Sequence, residues 1–195
     1  MNQKEHKPAT DTNYNILEKS EVLIGEHTID NAIQKIAEQL NQCYQQSQFK
    51  GEVISTFCIM NGGLYFSGQL LRYLNFPVKL SFLHASRYGD NTHGQKLTWT
   101  VKPKASDIEQ QHILLLDDIF DEGLTLEAIA KECQQLGAKS VCSTVLVNKQ
   151  HDRKPKSGFK PTFSGLEVED RYIFGCGMDY KGLWRNLPSI YALKA

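Results

Sequence analysis

An α/β protein with a parallel sheet flanked by helices is expected from three features of this 195-residue chain. Val53 to Met60, His112 to Asp117 and Val141 to Val147 are apolar at nearly every position, as strands covered on both faces are. Amphipathic helical stretches separate these runs. The connections are long enough for the right-handed crossovers that parallel strands require.

The first 14 residues are polar and aperiodic, and are expected to form a disordered tail before a single domain over 15–195. From Thr28, a plausible N-cap, Ile29, Ala32, Ile33, Ile36, Ala37, Leu40, Cys43 and Tyr44 recur at helical spacing. The strand Val53 to Met60 breaks at Asn61, Gly62 and Gly63, and a helix follows from about Leu64 to Leu74, closed by Asn75 and Pro77. Val78, Leu80 and Phe82 alternate with Lys79 and Ser81 as a further strand. Ala85 to Lys96 has no period and reads as a flexible lid or, more plainly, a hairpin tip, before the strand Leu97 to Val101. A helix over Thr125 to Leu136 then ends at Gly137, a residue suited to a left-handed cap.

Composition narrows the class. Twenty-two basic residues balance 22 acidic ones, so the positive excess of a nucleic-acid binder is missing. Apolar residues at 41% and charged residues at 23% exclude a disordered or collagen-like chain. The five cysteines are odd in number, widely spaced and without a CxxC pair, which suits reduced thiols in the cytoplasm and gives no zinc motif. No apolar run approaches the roughly 18–20 residues of a membrane span, and MNQKEHKPATDTNYN lacks a signal peptide's apolar stretch.

Ligands of open parallel sheets bind at the carboxyl ends of the strands, here Met60 to Gly63, Asp117 to Thr125, and Asn148 onward. The middle segment is the most informative. An apolar strand runs into Asp117 and Asp118, and Asp121, Glu122, Gly123, Leu124 and Thr125 then open a helix. A helix N-terminus behind a glycine turn suits a phosphate, whereas carboxylates suit hydroxyl donors or a divalent cation. A phosphorylated ribose carrying a metal-bound polyphosphate satisfies both demands. The plainer alternative, a solvated acidic turn, leaves two acids at the end of a buried strand unexplained.

The segment LLLDDIFDEGLT resembles the ribose-phosphate signature of type I phosphoribosyltransferases. FCIMNGGLYFSGQLL is similar to the pyrophosphate loop of the hypoxanthine-guanine members of that family, and DRYIFGCGMDYKGLWRNLPSIY to their base-binding segment. Together with Lys149 the resemblance runs from about Glu21 to Leu193. It implies the type I phosphoribosyltransferase fold, with a core over about 28–150 and a small hood over about 151–195. It also implies a purine-salvage enzyme that moves the phosphoribosyl group from phosphoribosyl pyrophosphate to hypoxanthine or guanine, giving IMP or GMP. Magnesium is the implied cofactor and a homodimer or homotetramer the implied assembly.

Roles follow position by position. The resemblance implies that Asp117 and Asp118 meet the ribose hydroxyls and the metal shell, and that Asp121 to Thr125, with Glu122, Gly123 and Leu124, hold the 5′-phosphate. Asp121 takes the position of the general base beside the purine. Lys149 is implied to donate to the 6-oxo group, Tyr172 to stack on the base, and Ile173 and Asp179 to meet its edge through their backbone. The Asp179 carboxylate is implied to reach a metal through water. Met60, Asn61, Gly62, Arg87, Tyr88 and Arg185 fall on the pyrophosphate side, and the family's cis peptide would fall at Met60 to Gly62.

Asn61 stands where many members carry Lys, Glu122 where many carry Ser or Thr, Leu124 where a polar residue is frequent, and Arg87 where Ser is common. Read without the resemblance, Tyr172 is strand core, Trp184 is packing, Lys149 belongs to a solvated basic loop, and no histidine has a role. A same-fold transferase for xanthine or another base, and a sensor of phosphoribosyl pyrophosphate, remain as alternative functions.

Overall fold

The computed structural model describes residues 15–87 and 97–194. β2 (Ile54–Met60) lies inside a six-stranded sheet of order β4-β3-β2-β5-β6-β7. β3 (Val78–Arg87), β5 (His112–Phe120), β6 (Ser140–Gln150) and β7 (Phe163–Glu169) continue it in parallel, and β4 (Leu97–Val101) runs antiparallel to β3, with the single-turn helix α3 (Ala105–Ile108) between β4 and β5. Strand β5 shows why its apolar run is continuous. Leu114 and Leu116 join the core beneath α1 (Glu26–Tyr44) and α2 (Gly63–Leu71), while Ile113 and Leu115 join the one shared with α4 (Leu124–Gln135). Successive side chains of a strand point to opposite faces, so a strand between two helical layers is apolar on both.

Several element ends differ from expectation for identifiable reasons. Helix α1 begins at Glu26, because the carbonyl of Gly25 accepts the first backbone hydrogen bonds, from Thr28 and Ile29. Strand β5 extends to Phe120 because β6 keeps pairing beside it, with Asp117 opposite Val145 and Phe120 opposite Asn148. The two acids therefore lie within the strand. Ala85, Ser86 and Arg87 belong to β3, opposite Trp99, Thr98 and Leu97 of β4, so the aperiodic connector contracts to residues 88–96, outside the described residues. Helix α2 stops at Leu71, and turn hydrogen bonds from Tyr73 and Leu74 close it.

A second sheet, antiparallel and of order β1-β9-β8, joins β1 (Ser20–Ile24), β9 (Ile190–Leu193) and β8 (Ile173–Phe174). Two of its strands fall in the segment expected to form the hood, but the third comes from the other end of the chain. Within that same segment, β7 pairs with β6 in the main sheet. Arg171 ties the small sheet together, with one guanidinium nitrogen 2.6 Å from both Glu21 Oε1 and the Leu193 carbonyl oxygen.

The segment after β8 meets the turn after β2 at glycines. Gly177 has φ +103°, and a Cβ there would lie 2.0 Å from the Gly62 carbonyl oxygen; a Cβ on Gly62 would lie 2.1 Å from the Asp118 carboxylate. Gly177→Ala is accordingly expected to destabilise the fold by at least about 1–2 kcal/mol from backbone strain alone. Thermal melting checks this; an unchanged midpoint would mean that the hood does not need the close approach.

Candidate active site

Asp117 and Asp118 occupy the last part of β5, directly after the fully buried Leu114, Leu115 and Leu116. Asp118 is 8% exposed and Asp117 is half-buried. The Asp118 amide donates to Asp117 Oδ1 at 3.0 Å, and the Ile119 amide to Asp118 Oδ1 at 2.9 Å. Burial, reinforced by the charge of Asp118, pushes the Asp117 carboxyl well above the usual carboxylate range. Burial also raises Asp118, while the Arg185 guanidinium opposes both shifts. Adjacent acids held this way are suited to hydroxyl donors or a hard cation.

Beyond them the chain turns into α4. Residues 117–119 and 121–126, with Arg153, line an open cleft of about 420 Å³. Gly123 makes the turn at φ +74°, and a Cβ there would strike the Phe120 ring at 2.1 Å. The segment from Asp121 to Thr125 thus brings the N-terminal end of a 12-residue helix to the cleft, where amides and dipole favour an anion. Glu122 is exposed.

Asp121 and Lys149, predicted from distant parts of the chain, are directly bonded. Lys149 Nζ lies 2.8 Å from Asp121 Oδ2 and 4.0 Å from Asp170 Oδ1, and Lys149 is 8% exposed. His151 Nε2 lies 2.6 Å from the other Asp121 oxygen. Burial acts to raise the Asp121 carboxyl, but the hydrogen bonds from Lys149 and His151, together with the charge of Lys149, outweigh it and hold the group below its ordinary value. Lys154 Nζ donates to the Phe120 and Asp121 carbonyls, each at 2.7 Å, and lies 4.4 Å from the Phe120 ring centre.

Lys149 is therefore not part of a solvated loop. Its neighbour His151, assigned no role from sequence, is a site residue, as is Lys154. The available signal was the i, i+2 spacing of Lys149 and His151 at a strand end, which directs both to one side.

Beyond β8, Arg185 places Nη2 2.6 Å from Asp179 Oδ1 and Nη1 2.6 Å from the Gly177 carbonyl oxygen. Asp179 Oδ2 accepts from the Gly182 amide at 2.7 Å. Tyr172 is 50% exposed, which removes the strand-core reading; its hydroxyl donates to the Asp179 carbonyl and its ring meets Tyr180 edge-on. The Ile173 side chain is core, opposite Ala192 in the small sheet. At the other wall Met60 and Asn61 are joined by a cis peptide, Asn61 is exposed, and Gly62 is buried against Asp118. Arg87 ends β3, and Tyr88 lies outside the described residues.

Because the Asp121 carboxyl is held low, the stability it contributes is present above the ordinary carboxylate value and is lost as pH falls through the folded value. Asp121→Asn is expected to cost about 1 kcal/mol at pH 7, reduced by the partial exposure of the carboxylate, with the gap narrowing below about pH 4. Melting curves across that range check it; equal midpoints at neutral pH would show the pair to be stability-neutral.

Comparison with known proteins agrees with this geometry. A family model described as a phosphoribosyl transferase domain matches residues 27–181. The chain is 30% identical over 173 residues to a hypoxanthine-guanine phosphoribosyltransferase of Bacillus subtilis (strain 168), covering 89% of this chain and 92% of the relative. A solved hypoxanthine phosphoribosyltransferase from Staphylococcus aureus superposes with TM-score 0.79 at 27% identity, over 95% of this chain and 96% of its own. A solved hypoxanthine-guanine-xanthine phosphoribosyltransferase gives TM-score 0.73 at 27% identity, over 90% and 97%. With the acid pair in β5, the glycine turn into α4 and the bonded Asp121 and Lys149 all inside the matched span, the chain belongs to the phosphoribosyltransferase family, among relatives of the hypoxanthine-guanine type.

Proposed function

We propose that this protein transfers the 5-phosphoribosyl group from phosphoribosyl pyrophosphate to hypoxanthine or guanine, releasing pyrophosphate. The contact between Lys149 and Asp121 carries the reading. It sets a cation beside a carboxylate, matching the edge of a 6-oxopurine, which offers an acceptor at the 6-oxo group and a proton on the neighbouring ring nitrogen. Adenine would turn an amino donor toward the ammonium. Asp121 accepts or stabilises the proton that the ring sheds as another of its nitrogens bonds to C1 and pyrophosphate departs. The loop to Thr125 anchors the 5′-phosphate, Asp117 and Asp118 take the ribose hydroxyls, and Tyr172 offers an exposed ring to the base. Arg185 meets pyrophosphate, with Met60, Asn61 and Gly62 on the same side, and the family resemblance assigns Arg87 and Tyr88 to the same ligand.

Magnesium fits the donor set. Among the described residues no three His, Cys, Asp or Glu side chains form a metal cluster, and magnesium commonly uses one or two carboxylates together with water and substrate oxygens. Asp117 and Asp118 would hold it, with Asp179 reaching it through water from the lone pairs that Arg185 and Gly182 leave. When bound, the metal neutralises the charge of the departing pyrophosphate.

The assembly is read as a homodimer or homotetramer. Leu80 and Phe82 are 54% and 51% exposed on the α1 and α2 face of the sheet, a surface that a second copy would cover. Five free thiols suit the cytoplasm, and among the described residues no helix is long and apolar enough to cross a membrane.

Nucleotide formation with hypoxanthine, guanine, xanthine, adenine and orotate, each with phosphoribosyl pyrophosphate and magnesium, tests the reaction. The expected result is turnover of hypoxanthine and guanine, abolished by excess chelator; binding of phosphoribosyl pyrophosphate without turnover of any base would indicate a sensor. Lys149→Ala should raise KM for the base about tenfold or more, and an effect confined to phosphoribosyl pyrophosphate would contradict its placement. Phe82→Asp should lower the sedimenting mass, and an unchanged mass would remove β3 from the interface.

A further inference from the structure

We infer that His151 is a positioning residue, a neutral imidazole fixed as an Nε2–H donor that orients the Asp121 carboxylate. The inference rests on the proposed reading of Asp121 as the base. The ring has both nitrogens engaged. The Arg153 amide donates to Nδ1 at 3.0 Å, so Nδ1 is an acceptor, and the ring's single proton is on Nε2, pointing at Asp121 Oδ1 at 2.6 Å. An imidazolium would set an Nδ1 proton against the Arg153 amide. The ring has little freedom to turn away: its side chain is 4% exposed, and Arg153 is anchored by a fork of 2.8 and 2.9 Å to Asp170.

This arrangement divides the Asp121 carboxylate. Oδ2 is held by Lys149, whose ammonium is free to rotate its three donors toward a substrate oxygen, and Oδ1 by a ring that cannot follow. If Lys149 turns to a 6-oxo group, His151 keeps the carboxylate plane in place. The surrounding charges are Lys149, Arg153, Asp170, Glu122 and Lys154, the last bonded to the Asp121 carbonyl. Because the ring is already the donor, it does not relay the proton that Asp121 accepts. That proton leaves to water from a carboxylate whose side chain is 40% exposed.

His151→Phe keeps a buried ring and removes the donor; His151→Gln returns a neutral N–H near the Nε2 position. We expect His151→Phe to lower kcat about tenfold or more with little change in KM for phosphoribosyl pyrophosphate. Its acid limb should move to higher pH, because a hydrogen bond to the charged form of Asp121 is lost. His151→Gln should recover most of the loss. Parent-like kcat and acid limb in His151→Phe, with turnover lost in Asp121→Asn, would reduce His151 to packing. Equal loss in folded His151→Phe and His151→Gln would overturn the neutral-donor assignment. Full turnover in Asp121→Asn would instead remove the underlying reading. Nitrogen-15 spectra of the unsubstituted protein give a readout that needs no variant: a protonated Nε2 with a bare Nδ1 near neutral pH is expected, and the opposite tautomer or an imidazolium would refute it.

Discussion

Two adjacent carboxyls within a strand whose preceding residues are buried on both faces are costly to hold, and the surrounding structure is organised by that constraint. Leu114, Leu115 and Leu116 are fully buried, and the next residues are Asp117 and Asp118. The backbone offers each acid an amide, and Arg185 supplies a positive field from the hood. Space around Asp118 is made by leaving side chains out: Gly62 lies where a Cβ would collide with its carboxylate, and Gly177 where one would collide with Gly62. Strand β5, the turn after β2 and the segment after β8 thus share one contact. Buried acids carry a desolvation penalty, and a binding site can use it, because a cationic or hydroxyl-bearing ligand relieves it.

Asp121 sits in the opposite electrostatic situation only four residues from Asp117. It lies beyond the strand with its side chain 40% exposed, and Lys149 and His151 keep it charged. Acids of one segment are therefore separated into a pair inclined to keep a proton and a single group inclined to release it. That division suits a site in which one end collects hydroxyls and cation while the other accepts a proton. The end of β6 and the segment after it supply the difference, since Lys149, His151 and Lys154 all fasten on Phe120 or Asp121.

Much of this organisation was legible in the sequence. The apolar strands at the three main positions, the helices between them, the acids in β5 and the glycine turn after it follow from local periodicity and turn chemistry, and both acid pair and glycine turn are contiguous in the chain. Less legible were the short strands of the small sheet. β1 and β9 are five and four residues long and separated by most of the chain, and their pairing carries no local signal. The exposed side of β3 is a similar case: Leu80 and Phe82 alternate as a half-buried strand does, yet the layer that would cover them is not provided by α1 or α2.

By itself the sequence determined the α/β layering, the glycine turn and the presence of the candidate groups, because each depends on neighbours within a few positions. Only the tertiary structure decided which groups touch. Lys149 bonds to Asp121 across a separation of 28 positions, and Arg185 meets both Asp179 nearby and, through its field, Asp117. His151 illustrates the distinction: its residue type is visible in the chain, but its tautomer depends on the Arg153 amide and its role on the approach of Asp121. Parallel strands brought side by side by crossovers create those contacts, and no local pattern records them.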